Sequence, residues 1–94
     1  MKLSVIIPCY NVAAQLPTLV RSLQGNLHRD FEFVFVEDCS TDDTASVLHD
    51  LVADLPGSEV LHHDRNYGLS AARNTGLARA QGTYVVWLDS DDWI

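Results

Sequence analysis

Tyr84-Val85-Val86-Trp87-Leu88-Asp89-Ser90-Asp91-Asp92 is the stretch on which the reading of this chain turns. Up to Leu88 it is apolar and β-rich, the pattern of a strand buried on both faces of a parallel sheet, and Asp89 and Asp91 fall where that strand runs out. Acids spaced this closely repel. At about 4 Å and an effective dielectric near 20, each pair costs roughly 4 kcal/mol before compensation. Two readings account for them. Either the acids solvate a turn, or they hold a hard divalent cation, for which oxygen-only ligands suit Mg²⁺ or Mn²⁺.

The same strand signal recurs upstream. Leu3 to Pro8, Phe31 to Glu37 and a weaker run from Glu59 to His62 read as strands, and the last runs from Thr83 to Leu88. Helical spacing separates them. Leu16, Leu19, Val20, Leu23 and Leu27 form one stripe, with Pro17 tolerable only in a first turn. Leu48, Leu51, Val52 and Leu55 form a second, opened by Ser40-Thr41-Asp42-Asp43 as an N-cap signal and ended by Pro56-Gly57. A third helix is predicted from Leu69 to Ala80, terminated by Gly82. Strands alternating with helices over short connections give right-handed βαβ units and a parallel sheet covered by helices. Ligands of such sheets bind at the carboxyl ends of the strands. Tyr10-Asn11, Glu37-Asp38-Cys39-Ser40 and Asp89-Ser90-Asp91 all follow strands directly, which favours a site over a solvated turn.

Composition limits the function classes. At 94 residues the chain is one small domain with a single core, and 47% apolar content is that of a globular fold. The net charge of −7 argues against nucleic-acid or anionic-membrane partners, since phosphate backbones select basic patches. A small phosphorylated ligand remains compatible, because a divalent ion can bridge acid to phosphate. No stretch is long enough to span a membrane, and Met1 to Pro8 has too short an apolar core for a signal peptide. Cys9 and Cys39 are too few for a disulfide framework, so a reducing cytoplasm is the expected location. They read as two thiols that happen to lie near each other. His28, His49 and the pair His62-His63 show no metal-ligand spacing and read as surface residues.

The first strand ends in Pro8-Cys9-Tyr10-Asn11, which is not a dinucleotide-binding glycine turn, and no P-loop is present. Four collinear stretches instead resemble the family-2 glycosyltransferases, inverting enzymes that use nucleotide sugars. They are Val5-Ile6-Ile7-Pro8-Cys9-Tyr10-Asn11, Val36-Glu37-Asp38-Cys39-Ser40-Thr41-Asp42, Asn66-Tyr67-Gly68-Leu69-Ser70-Ala71-Ala72-Arg73-Asn74-Thr75-Gly76 and Leu88-Asp89-Ser90-Asp91-Asp92-Trp93. The resemblance implies a Rossmann-like three-layer α/β domain, the nucleotide-binding half of the GT-A fold, with the sheet ordered third-second-first-fourth. The first and second helices would pack its faces, and because both parities of each strand are apolar, Val5, Ile7, Phe33, Phe35, Val85 and Trp87 would be buried.

The resemblance also implies roles. Pro8 and Tyr10 would line a nucleoside pocket, Asp38 would accept the imino N–H of uracil, and Arg73 would reach the base or the diphosphate. Asp89 would hold ribose or metal and Asp91 the divalent cation, Mn²⁺ or Mg²⁺. Asn11, Asn66 and Ser90 complete the nucleotide contacts. The implied partner is a nucleotide diphosphate sugar, UDP-linked by family habit. Two positions depart from the pattern: Glu37 replaces the commoner Asp or Asn, and Cys39 stands where the family usually has Gly, so its turn should lack free access to positive φ. Family members continue past the Asp-x-Asp into an acceptor-binding half that carries the catalytic base. Residues 1–94 are therefore expected to be the nucleotide-sugar-binding half alone, without transfer of their own. The parent enzyme could sit peripherally at the cytoplasmic membrane face, and the fragment should self-associate through apolar surface at Trp87 or Trp93. Two other classes stay open: a non-catalytic binding or oligomerisation module, and a phosphotransfer domain.

Overall fold

Strands β1 (Leu3–Cys9), β2 (Phe31–Glu37), β3 (Ser58–His62) and β4 (Tyr84–Trp87) alternate with helices α1 (Leu16–Gln24), α2 (Thr44–Val52) and α3 (Leu69–Arg79). The structure, a computed structural model, describes residues 2–25 and 30–89. Leu27, His28, Ser90, Asp91, Asp92 and Trp93, which entered the sequence reading, lie outside the described residues. The sheet order is β3-β2-β1-β4, and every pairing is parallel. Cys9 pairs with Glu37 and Glu37 with His62, so the ends of β1, β2 and β3 lie side by side.

Side chains alternate across the sheet with the period of a strand. Val5, Ile7 and Cys9 of β1 and Phe33 and Phe35 of β2 point to one face. There they pack with Leu16, Leu19, Val20 and Leu23 of α1, with Leu48 of α2 and with Leu55. Each such aliphatic or aromatic side chain contributes roughly 1.5–3 kcal/mol by leaving water. Ile6, Val34 and Val36 point to the other face and meet Ala72 of α3. Thus, among the described residues, the first and second helices share one face instead of packing both, and α3 covers the other. The small residues Ala72 and Gly76 let α3 sit close on the sheet. A Cβ at Gly76 would lie 2.4 Å from Ile6 Cγ2 and 3.3 Å from Val36 Cγ2.

The edge strand departs from the sequence reading. Val85 is only half-buried and Trp87 is 44% exposed. Helix α3 lies across β1 and β2, and no described element covers the outer part of β4, so its apolar side chains face solvent. The N-cap signal before α2 also acts differently. Asp43, at the cap position, makes no side-chain cap bond, whereas Asp42 Oδ1 accepts the Thr44 N–H at 2.8 Å.

Substituting Gly76→Val should cost at least about 2 kcal/mol, because the new side chain must displace a buried strand residue. Ala78→Val, at an exposed position of the same helix, should cost no more than its propensity difference, about 0.5 kcal/mol. Urea denaturation of both variants checks the contrast.

Candidate functional site

The carboxyl ends of β1, β2 and β4 open into a cleft of about 420 Å³, lined by residues that include Pro8, Tyr10, Asp38, Asn66, Leu69 and Asp89. That volume lies within the range of small-molecule sites. Five of the residues singled out in the sequence, Pro8, Tyr10, Asp38, Asn66 and Asp89, therefore meet at one place. Cys9, Val12, Gln15, Gly68, Leu69 and Ala72 join them. Leu69 and Ala72 belong to the first turn of α3, and their apolar spacing was the signal that could have placed them there.

Two loops form one wall, and Asn11 ties them together. Its backbone takes φ +53°, a left-handed conformation that Asn tolerates better than most residues. Its Oδ1 accepts the Thr41 N–H at 2.8 Å, and its own N–H donates to Ser40 Oγ at 3.0 Å. Val12 N–H donates to the buried Thr44 Oγ1 at 2.8 Å. Asn11 is thus a staple between the loops after β1 and β2 and does not line the cleft. Glu37 is also buried, and its Oε1 accepts the Ser40 N–H at 2.7 Å. Cys39 takes φ +55° despite lacking the freedom of glycine, at a cost of order 1–2 kcal/mol. Both cysteines are free thiols, Cys39 exposed and Cys9 buried. Burial, with a smaller contribution from Glu37, pushes the Cys9 thiol up to about 12, so it stays protonated and unreactive.

Asp38 is 3% exposed and heavily engaged. Its Oδ1 accepts the Tyr67 N–H at 2.9 Å and lies 2.7 Å from His63 Nδ1. Its Oδ2 accepts the Gly68 N–H at 2.9 Å. Gly68 is the N-cap residue of α3, with φ +95°, so Asp38 places its negative charge at the positive end of that helix. Asp38 thus acts at the start of α3 and not on α2, the helix that follows β2. His63 corrects the surface reading. Its side chain is only 10% exposed, its Nε2 lies 2.8 Å from Thr75 Oγ1, and its ring meets Tyr67 edge-on at 5.2 Å. An ionised carboxylate only accepts, so Nδ1 carries a hydrogen. The exposed His62 and His49 agree with the sequence reading.

At the other end of the cleft Arg73 Nη2 donates to Asp89 Oδ1 at 3.3 Å, with both side chains substantially exposed. Such a pair contributes about 0–1 kcal/mol. Arg73 Nε is buried without a hydrogen-bond partner among the described residues, an unusual state for a polar atom. Asp89 offers carboxylate oxygens, which suit a hard divalent cation. Among the described residues no group of three His, Cys, Asp or Glu side chains gathers to hold a metal ion, and Asp91 lies outside them.

A parallel sheet in this order, with its cleft at the carboxyl edge, defines a Rossmann-like α/β domain. Comparison with known proteins narrows the class. The profile of glycosyl transferase family 2 matches residues 4–94, and the chain belongs to that family. It is 40% identical over 89 residues to the putative teichuronic acid biosynthesis glycosyltransferase TuaG of Bacillus subtilis, covering 95% of this chain and 35% of that protein. It is 39% identical to glycosyltransferase GlyA of Streptococcus pneumoniae, covering 99% of this chain and 13% of GlyA. The chain thus spans about a third or less of these relatives. Among solved structures, S. aureus TarS 1-349 in complex with UDP-GlcNAc superimposes with a TM-score of 0.91 at 36% identity, over 100% of this chain and 28% of TarS 1-349. The mannosyltransferase PcManGT of Pyrobaculum calidifontis, in complex with GDP-Man and Mn²⁺, gives 0.88 at 28% identity over 96% of this chain and 27% of that one. The fold is accordingly the Rossmann-like GT-A sheet, in the strand order expected from the sequence.

Burial alone would raise the pKa of Asp38, but the Tyr67 N–H, His63 and the Gly68 N–H outweigh it and hold the carboxyl below the usual range. A pKa depressed by folding contributes stability above the unfolded value, near 3.9, and that stability is lost as pH falls through the folded value. Melting temperatures of the wild type should therefore fall steeply below about pH 4. Asp38→Asn should be less stable at neutral pH and show a shallower acid limb. Equally steep limbs in the two proteins would assign the acid sensitivity to other carboxylates.

Proposed function

We propose that the chain is the nucleotide-sugar-binding part of a glycosyltransferase that transfers a sugar, with inversion, from a UDP-linked donor to an acceptor hydroxyl. The observation that carries this reading is the cleft, with a buried acid, Asp38, at one end and the Arg73–Asp89 pair at the other, on a fold shared with a UDP-GlcNAc complex of TarS. Pro8 and the exposed Tyr10 flank the nucleoside, and the aromatic ring offers a flat face for packing. Asp38 accepts one N–H of the base. Asn66 and Ser90 add polar contacts, while Asn11 acts by holding the wall in place. Arg73 donates to the diphosphate as a charge-assisted partner. Its weak pairing with Asp89 opposes that exchange little.

Asp89 and Asp91 would hold Mn²⁺ or Mg²⁺. A divalent ion bound there neutralises charge developing on the departing nucleoside diphosphate. Displacement at the anomeric carbon also needs a base within hydrogen-bond reach of the acceptor hydroxyl. Asp38 is committed to His63, Tyr67 and Gly68 and, in this reading, to the nucleobase, and Asp89 faces Arg73, so the proposal draws the catalytic base from outside these residues. The small share of each relative that the chain covers supports this division of labour. Among the described residues no helix is long and apolar enough to cross a membrane, and a cytoplasmic setting is part of the proposal.

UDP should bind more tightly with Mn²⁺ than with chelator, and Asp91→Asn should abolish the difference. Asp38→Ala should weaken binding with the metal requirement intact. Titration calorimetry tests all three, and metal-independent binding by the wild type would remove the two acids from the site. Self-association is proposed through the exposed Tyr84, Val86 and Trp87 of the edge strand. Light scattering at tens of micromolar should show a dimer or larger species, and Trp87→Ser should shift it toward monomer.

A further inference from the structure

The carboxylate of Asp38 has room for about four hydrogen bonds, and the fold fills three. Among the described residues Oδ1 is complete, taking the Tyr67 N–H and the His63 ring, whereas Oδ2 takes only the Gly68 N–H. Backbone donors are fixed by the loop, so His63 is the one partner that a substitution can remove. The ring is itself held from behind, because Nε2 contacts Thr75 Oγ1 in the second turn of α3.

We propose that His63 is a specificity-determining positioning residue: by occupying the last acceptor position of Asp38 Oδ1, it leaves Oδ2 with one vacancy facing the cleft and thereby selects a base that presents a single ring N–H over one that presents two adjacent donors. A uracil edge offers one N–H between two carbonyl oxygens. A guanine edge offers a ring N–H beside an exocyclic amine and is satisfied by a carboxylate with both oxygens open. With Oδ1 filled, the amine of guanine would be desolvated without a partner, the costly outcome for a polar group in a closed site. This inference rests on the reading of Asp38 as the base acceptor given under Proposed function. His63 does not touch the base. It acts through Asp38.

Two near-isosteric variants separate its two hydrogen bonds. In His63→Asn the amide nitrogen takes the place of Nδ1, keeping the donor to Asp38 and losing Thr75. In His63→Gln the amide takes the place of Nε2, keeping Thr75 and opening Oδ1. Dissociation constants of UDP and GDP are measured by calorimetry with Mn²⁺ present throughout. The UDP-over-GDP preference should persist in His63→Asn and narrow by about tenfold in His63→Gln, the worth of one hydrogen bond to a charged group. An unchanged preference in His63→Gln overturns the inference while leaving UDP binding intact. Absence of UDP binding by the wild type overturns the parent reading and the inference with it. Should His63→Gln not fold, His63→Leu removes the donor to Oδ1 at similar volume and should also narrow the preference. An unchanged ratio there is equally adverse.

Discussion

A buried carboxylate must be satisfied or it destabilises the fold, and Asp38 is the point at which this chain meets that requirement. It leaves the sheet at the end of β2, and its partners come from the loop after β3 and the start of α3. Two segments distant in sequence are thereby fixed to one group. The position of α3 follows, and with it Arg73 and the small residues that press on the sheet. Removing the acid would leave two backbone N–H groups without acceptors near the cleft. The groups that shape the binding edge are thus the same ones that keep its loops folded, and binding and stability cannot be varied independently there.

Much of this was legible in the sequence. Apolar residues at both parities, as from Phe31 to Glu37, favour a central place in a parallel sheet, and polar residues directly after each strand mark the carboxyl edge. The order of strands and the gathering of Pro8, Tyr10, Asp38, Asn66 and Asp89 were what the family resemblance implied. Val85 and Trp87 were read as buried because periodicity reports side-chain chemistry and is blind to whether a neighbour exists on the outer side. His63 escaped for a different reason. Rules for histidine look for ligand spacing along the chain, whereas its partners Asp38 and Thr75 reach it through sheet pairing and helix packing. Asn11 was placed in the site for its position after β1, but its side-chain oxygen accepts the Thr41 N–H across the gap between two loops.

The balance of charge around the cleft is uneven in a useful way. Asp38 is neutralised by fixed backbone dipoles and a ring, interactions that reorganise little when a ligand arrives. Asp89 is neutralised by an exposed arginine across 3.3 Å, an arrangement that solvent screens and that an incoming anion can rearrange. One end of the site is rigid and the other exchangeable, which suits a ligand whose base must be identified and whose phosphates must be released.

The pairing of Leu3 with Tyr84 carries a kinetic meaning. The strand that bears Asp89 docks on the first strand of the chain, so this contact spans nearly the whole sequence and its loop-closure entropy is the largest in the sheet. During synthesis β1, β2, α2 and β3 emerge and can pair before β4 exists. The half of the cleft built on Asp38 therefore forms early, and the half that carries Asp89 is completed only when β4 pairs beside β1. Until then the free edge of β1 is an unpaired strand in a growing chain, a template for the wrong partner, and rapid closure by β4 protects the nascent protein from aggregation as well as completing the site.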